Sequence, residues 1–206
     1  MTDQYNVTGF FYIEQGYRFR SYLNIRKKAL GLGKYLRAIK KRFGPDQPDL
    51  MVVMMNPGAS SPLSGDDDGR AEVTAQPDDT QRQIMKVMAA RNFSYARILN
   101  LSDLRDPDSA HFMSVIRLLD YAGIHHSIFS PQREQDFSRL FVQSVPVIIA
   151  WGAYDRLRPL ARRALTRMDN AIQVGQRKVG SEWVYYHARQ RGKPPGVWLD
   201  EILKQL

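Results

Sequence analysis

Three short apolar runs constrain the fold of this chain more than any other feature. They are LMVVMM at 50–55, YARILNL at 95–101 and VPVIIAWG at 145–152, each continuous enough for a strand buried on both faces. Helical patterns follow them at 80–92, 106–123 and 153–165. Strands that alternate with helices indicate a parallel sheet covered on both faces. We therefore predict an α/β fold with three α/β/α layers and a central, mostly parallel sheet of four to five strands.

Capping residues indicate where two of these helices begin and end. Asp78 or Asp79 can cap the first helix, because their carboxylates accept hydrogen bonds from unpaired amides of its first turn. Asp106 or Ser109 can begin the second helix, and Gly123 can end it.

The N-terminal quarter has a different pattern. Residues 7–13 predict a short strand, and residues 23–43 predict a basic helix that ends at GPDQPD. A chain of 206 residues favours a single core. We expect one domain over 1–206, with residues 1–48 as a basic strand and helix extension packed on it.

Charge is the strongest compositional signal. The chain has 30 lysines and arginines against 21 acids, a net charge of +9, and an isoelectric point near 9.8. Residues 17–42 hold ten basic side chains and no acid, and residues 156–193 hold ten more. Such concentrations of positive charge favour nucleic acid as the partner. The alternative is two solvated helix faces whose arginine stems cover the core.

Other compositional features exclude whole classes of protein. Without cysteine, disulfides, thiolate nucleophiles and cysteine-ligated metal centres are impossible. No apolar run is long enough for a spanning helix, and the N-terminus lacks the basic and apolar regions of a signal peptide. We expect a monomeric cytoplasmic protein without a membrane partner.

The loops that leave the three strands are the expected ligand site, since ligands of open α/β sheets bind outside the carboxyl ends of the strands. The first loop, NPGASSPLSG at 56–65, is rich in glycine and hydroxyl residues that let an anion or a sugar approach the backbone. Neither the G-x-x-x-x-G-K-[ST] nor the G-x-G-x-x-G pattern occurs, so the fingerprints of triphosphate and dinucleotide binding are missing.

Four motifs together resemble the uracil-DNA glycosylase superfamily. MMNPG at 54–58 is similar to its first motif, in the asparagine form of the mismatch-specific uracil and thymine branch. ILNLSDLRD at 98–106 resembles the strand whose asparagine reads the extruded base, and VIIAWGAYDR at 147–156 resembles the strand before the last motif. His187 occupies the place of the family histidine. NPG, DDT, ILNL and AWG also resemble an uncharacterised bacterial family that is itself glycosylase-like.

The resemblance implies a role for each of these residues. Asn56 and His187 are the expected catalytic residues, and Asn100 is the expected base reader. One departure is that Ala188 and Arg189 stand where the family has proline and serine after its histidine. The full set of expected substrate contacts is Pro57, Gly58, Ala59, Ser60, Asn100, Trp151 and Gly152.

The residue types suit cleavage of an N-glycosidic bond, which builds positive charge on the sugar and negative charge on the leaving base. The carbonyl oxygen of Asn56 can orient water, His187 can donate to the base, and the base must be flipped out of the duplex. Asp68 is a candidate general base; the acidic stretch around it can otherwise be a solvated loop or hold Mg²⁺. Basic residues expected to hold DNA phosphates are Arg26, Lys27, Lys28, Arg105, Arg189, Arg191 and Lys193.

The resemblance thus implies a DNA glycosylase, and we expect it to need no metal or cofactor. We expect it to be monofunctional, because no lysine occupies a motif position for the Schiff base of a lyase step. Small residues at 58–61 indicate room for a large C5 substituent, such as that of a hypermodified phage cytosine, which would make the role antiviral. Two alternatives stay open. One is a non-catalytic nucleic-acid-binding protein of the same fold, and the other is a metal-dependent phosphodiesterase that uses the acidic residues of 66–79.

Overall fold

The computed structural model describes residues 2–28, 46–190 and 192–206. Within them the chain forms seven strands: β1 (Tyr5–Glu14), β2 (Tyr17–Lys27), β3 (Leu50–Met54), β4 (Glu72–Thr74), β5 (Tyr95–Asn100), β6 (Val147–Ala150) and β7 (Gln173–Val174). They form one mixed sheet in the order β4-β1-β2-β5-β3-β6-β7.

The centre of the sheet is parallel, as predicted. Strand β3 lies between β5 and β6 and is parallel to both, with Val52 opposite Ile98 on one side and Ile148 on the other. The sheet is larger than the predicted four to five strands because β1 and β2 form an antiparallel hairpin that joins β5. The three predicted apolar strands are confirmed as β3, β5 and β6.

Helices cover both faces of the sheet, which confirms the predicted layers. The helices are α1 (Asp79–Arg91), α2 (Ser109–Tyr121), α3 (Glu134–Leu140), α4 (Arg158–Arg167) and α5 (Pro195–Gln205), with short 3₁₀ turns at Thr2–Gln4, Pro131–Arg133 and Asp155–Leu157. One core packs α2, α3 and α4 against side chains such as Met51 and Val53. The other core packs α1 and α5 against Val52 and Met54.

The caps of the first two helices were predicted with mixed success. Asp78 caps α1 in a capping box, in which its carboxylate accepts the Gln81 amide and its own amide donates to the Gln81 side chain, both at 2.9 Å. Helix α2 is capped by Asp108, so the prediction of Asp106 or Ser109 is wrong. Asp106 instead accepts the backbone amide of Asp108 at 2.9 Å.

The N-terminal prediction is partly wrong. The strand expected at 7–13 lies within β1, but residues 23–27, expected to be helical, belong to β2. Leu23 and Ile25 are buried at alternate positions of a strand, a period that the high density of basic residues obscures. Residues 29–45, the rest of the expected helix, lie outside the described residues. Because β1 and β2 pair within the central sheet, the described part of 1–48 belongs to the sheet itself.

Among the described residues, no helix combines the length and the apolar character that crossing a bilayer requires.

Candidate functional site

A cavity of about 520 Å³ lies at the carboxyl ends of β3 and β6. Its volume is typical of sites for small molecules and cofactors. Five residues that the sequence predicted for the site line it: Trp151, Gly152, His187, Arg189 and Lys193. The complete lining is Met55, Trp151, Gly152, Ala153, Tyr154, Tyr186, His187, Arg189, Gln190 and Lys193.

The turn after β6 fixes the wall of the cavity. Gly152 has φ +93°, a conformation that favours glycine, and its amide donates to the Tyr185 carbonyl at 2.8 Å. The Trp151 indole donates to the Trp183 carbonyl at 2.9 Å, and its ring meets that of Tyr185 edge to face at 5.5 Å. These contacts bring the segment that carries His187 onto the end of β6.

His187 leaves one ring nitrogen without a partner in this cavity. Nδ1 lies 3.2 Å from both the amide nitrogen and the carbonyl oxygen of Arg189, so it accepts from the one or donates to the other according to the tautomer. Burial lowers the pKa of His187, which favours the neutral ring. Nε2 has no hydrogen bond from the described residues and is therefore available to a ligand. The Arg189 guanidinium forms an ion pair with Asp79, which ties the His187 segment to the start of α1.

Asn56 directly follows Met55, which lines the cavity, but Asn56 itself does not line it. Its amide group is held in one orientation. Nδ2 donates to the carbonyl of Asp106 at 2.7 Å and to that of Leu104 at 3.4 Å. Two carbonyl acceptors require the NH₂ end of the carboxamide, so Oδ1 is the end left for an external donor. Oδ1 accepts no hydrogen bond from the described residues. This arrangement suits an oxygen that orients a water molecule.

Asn100 is fully buried at the end of β5 and does not line the cavity. With its amide oriented so that both ends are satisfied, the nitrogen donates to the Asn56 backbone carbonyl at 3.2 Å and the oxygen accepts from Nη2 of Arg20 at 3.3 Å. This placement provides no contact to a base, in contrast to the predicted role. Asn100 instead fixes the backbone at the start of the Asn56 loop.

Arg20 is a site residue that sequence reasoning missed. Its side chain is only 1% exposed, and Nε and Nη1 are buried without a partner among the described residues. Burial lowers the pKa of Arg20 to about 10, against the opposing effects of Asp78 and Asp103. Arg20 belongs to a run of basic residues, and only the register of β2 in the sheet distinguishes it from exposed neighbours.

A second buried charge lies at the same edge. Asp103 is fully buried and pairs with Arg133, while its backbone carbonyl accepts the Arg20 amide at 2.9 Å. Burial raises the pKa of Asp103 to about 6, and the Arg133 guanidinium opposes that shift. The carboxyl edge of the sheet therefore holds two cations and one carboxyl group with little access to water.

The loop after Asn56 does not line the cavity, although four of its residues were predicted to bind substrate. The Ser60 amide donates to the Pro57 carbonyl at 3.2 Å, and Arg105 donates to the Ser60 carbonyl at 2.7 Å. Ser60 is buried and Ala59 is exposed, and Gly58 turns the chain with φ +60°. The turn and the Arg105 contact hold these residues away from the cavity.

Besides Arg189, which pairs with Asp79, two more of the predicted DNA contacts are occupied within the protein. The Arg105 guanidinium is largely buried, and its Nη1 contacts both carboxylate oxygens of Asp67, at 2.9 and 3.0 Å. Arg26 pairs with Asp46 at 3.0 Å and stacks over the ring of Tyr95. Neither guanidinium is free for a phosphate in this arrangement.

The predicted contacts at 26–28 also lie at the other edge of the sheet. Arg26 is opposite Tyr95, the first residue of β5, whereas the cavity lies beyond Asn100, the last. Five residues of extended chain separate the two edges by roughly 17 Å. Lys28 is exposed there, and Lys27 contacts Asn92. Arg191 lies outside the described residues.

The acidic stretch does not assemble into one site. Asp68 is exposed, its carboxylate accepts the Arg70 amide at 3.0 Å, and it does not line the cavity, so the structure does not place it as the expected general base. Asp67 pairs with Arg105, and Asp78 caps α1. In the part of the chain that the structure describes, no three potential ligands lie close enough to hold a metal ion.

Ser102, His126 and Asp120 form a hydrogen-bonded relay behind the site. His126 Nδ1 lies 2.9 Å from Ser102 Oγ, and Nε2 lies 3.1 Å from Asp120 Oδ1. The residue types are those of a hydrolase triad, but Ser102 is fully buried and cannot reach a substrate. Its amide donates to the Met55 carbonyl at 3.1 Å, so the relay holds the β5 loop against the β3 loop.

A larger cavity, of about 860 Å³, lies beside β7 and the end of α5. Its lining includes Lys178, Glu182 and Glu201, and no residue predicted from the sequence as part of the site. The smaller cavity is the better candidate because it lies where the carboxyl ends of parallel strands meet.

No protein-family model, curated protein or solved structure matches this chain.

Proposed function

We propose that this protein is a monofunctional DNA glycosylase that receives one everted base in the cavity at the carboxyl ends of β3 and β6. The observation that supports this most directly is the chemistry of the lining. A histidine whose Nε2 has no partner among the described residues lies among aromatic side chains, with Arg189 and Lys193 also in the lining. Everted bases are bound by stacking and by hydrogen bonds to their edges.

The reaction needs two functions from the protein. As the bond between C1′ and the base nitrogen breaks, its electron pair passes to the base, and Nε2 of His187 donates a hydrogen bond to the developing anion. Water attacks C1′, oriented by Oδ1 of Asn56, and its proton ends on the released base. Buried Asn100 holds the Asn56 loop in place and takes no direct part.

The loop at 58–61 does not determine which base enters the cavity. Its small residues do not line the cavity, so they give no support to a preference for a base with a bulky C5 group. Duplexes with uracil, a thymine mismatch and glucosylated hydroxymethylcytosine are therefore all candidate substrates. A role in defence against phages rests on the last of these.

The test is base release, detected as strand breakage after alkali treatment of each duplex. We expect His187→Ala to slow single-turnover release by about 10²- to 10³-fold, because it removes one donor to the developing anion. The matched control is His125→Ala, which changes an exposed histidine and should release base at the wild-type rate. Breakage on none of the duplexes, or equal rates for the two variants, would contradict the proposal.

A second candidate is a nucleic-acid-binding protein without catalysis. One observation favours it: Asn100 and the 57–60 loop do not line the cavity, so fewer groups contact a base than the sequence predicted. Asn56→Ala separates the two candidates. A glycosylase variant should keep DNA affinity and lose base release, whereas a binding protein should show no base release even in the wild type.

The third candidate, a metal-dependent phosphodiesterase, requires carboxylates that converge. Asp67, Asp68 and Asp79 instead pair with different arginines, and Asp78 caps α1. Cleavage of unmodified DNA that EDTA abolishes would establish this activity in place of the glycosylase.

A further inference from the structure

Four exposed arginines that have no acidic partner come shortly after the cavity-lining residue Tyr154 in the sequence. They are Arg156, Arg158, Arg162 and Arg163, here called the arginine row. None of them forms an ion pair or a hydrogen bond among the described residues. Most other exposed arginines are paired, including Arg18, Arg70, Arg82, Arg139 and Arg189.

The arginine row begins next to the cavity. Tyr154 lines the cavity, the 3₁₀ turn Asp155–Leu157 follows at once, and α4 begins at Arg158. Arg158 and Arg162 are four residues apart, so their side chains are neighbours on the helix, about 6 Å apart along its axis. The row therefore leads directly away from the cavity.

Packing of α4 directs these side chains to solvent. Leu160, Ala161 and Ala164 are buried against the sheet, which leaves the opposite face of the helix exposed. Like charges at this spacing repel each other and lower helix stability. A polyanion across the row would remove that repulsion, and arginine binds phosphate oxygens through two parallel donors.

We propose that the arginine row binds the phosphate backbone of duplex DNA beside the everted nucleotide. This inference rests on the proposed function. Helix α4 has ten residues and a length of about 15 Å, which matches the rise of roughly four nucleotides of one strand. The helix exposes no aromatic side chain on which unpaired bases could stack, so the row fits a duplex rather than a single strand.

The test measures the affinity for an unmodified duplex by fluorescence anisotropy over a range of salt concentrations. We expect Arg158→Gln/Arg162→Gln to bind about tenfold more weakly, and the slope of log affinity against log salt to fall by about 1.8, since two phosphate contacts are lost. The control is Arg91→Gln/Lys204→Gln, which removes two charges at the C-terminal ends of α1 and α5 on the opposite face. It should keep the wild-type slope.

Other outcomes would overturn this inference. They are a wild-type slope in the Arg158→Gln/Arg162→Gln variant, an equal loss in both double variants, or equally strong competition by single-stranded DNA. Since the assay needs no base release, failure of the arginine row leaves the glycosylase proposal intact, and failure of base release leaves the result on the row intact.

Discussion

Arg20 on β2 and Asn100 on β5 lie side by side with both side chains buried, and Nη2 of Arg20 donates to the Asn100 amide oxygen across 3.3 Å. The nitrogen of the same amide holds the Asn56 backbone carbonyl. Through this contact a residue from the N-terminal hairpin determines the geometry of the loop after β3. The position of Asn56 therefore depends on the N-terminal hairpin. The position of His187 depends on the contacts of its segment with the end of β6.

Because two nitrogens of Arg20 are buried without a partner, we expect the Arg20→Met variant to be more stable than the Arg20→Lys variant. Arg20→Met removes a buried charge, and it should change the free energy of unfolding by no more than about 2 kcal/mol. Arg20→Lys keeps a charge that is more strongly hydrated and has fewer donors, and it should cost roughly 3 kcal/mol or more. Urea unfolding measures both. A lysine variant more stable than the methionine variant would show that the site requires a cation.

The Arg105–Asp67 pair predicts a stability effect where the sequence suggested a DNA contact. Arg105→Ala leaves the largely buried Asp67 carboxylate with only its longer contact to Arg18, at 3.8 Å, and should cost roughly 3 kcal/mol, while the salt dependence of DNA binding stays unchanged. The double variant Asp67→Ala/Arg105→Ala should recover part of the loss, with a coupling of roughly 1–3 kcal/mol. The exposed Asp68–Arg70 pair is the control, and Arg70→Ala should cost less than about 0.5 kcal/mol. A reduced salt slope in Arg105→Ala would restore the role predicted from the sequence.

His126 predicts a loss of stability in acid. Burial lowers its pKa, so between that value and the ordinary one the unfolded chain binds a proton that the folded protein does not. The contribution of His126 to the free energy of unfolding should therefore decrease as the pH falls below about 6.5, by at most about 1.4 kcal/mol per pH unit. His187, which is half-buried, acts in the same direction, whereas Asp103, whose pKa is raised to about 6, acts in the opposite direction below that pH. Urea unfolding of wild type and His126→Gln between neutral and mildly acidic pH should give a shallower dependence for the variant, and identical slopes would contradict the assignment.

Gly175 predicts a steric effect on the packing behind Trp151, a residue that lines the candidate cavity. A Cβ at this position would lie 2.6 Å from the ring of Tyr185 and 2.9 Å from the Ile149 carbonyl oxygen, and Tyr185 packs against Trp151. Gly175→Ala should lower the free energy of unfolding by about 1–3 kcal/mol and change the tryptophan fluorescence. Gly196→Ala, where no atom lies within 4 Å of the added carbon, should be neutral or stabilising. Equal stabilities for the two variants would mean that Tyr185 moves aside at no cost.

Local patterns were enough to predict several elements. Strands β3, β5 and β6 are short runs of apolar residues between polar ones, and the Asp78 cap depends on a residue only three positions away. The same reasoning failed for β2, because clustered arginines and tyrosines obscure the alternation of a strand. The bulge between Phe10 and Phe11 also shifts the register of the hairpin, and no local rule predicts that shift.

The sequence by itself determined the parallel centre of the sheet, the edge at which the cavity lies, and Trp151 and Gly152 as part of its lining, because these follow from periodicity and from the ends of strands. His187 was predicted from the family resemblance of its motif and not from these patterns. Only the tertiary structure decided which polar residues face a ligand. Arg20 and Asn100 form a buried pair, and Arg105 is the partner of Asp67. Arg158, Arg162 and Arg163 of α4 are exposed without an acidic partner, whereas Arg167 of the same helix pairs with Glu134. Burial and charge pairing depend on neighbours brought together by folding, and a linear sequence does not contain those distances.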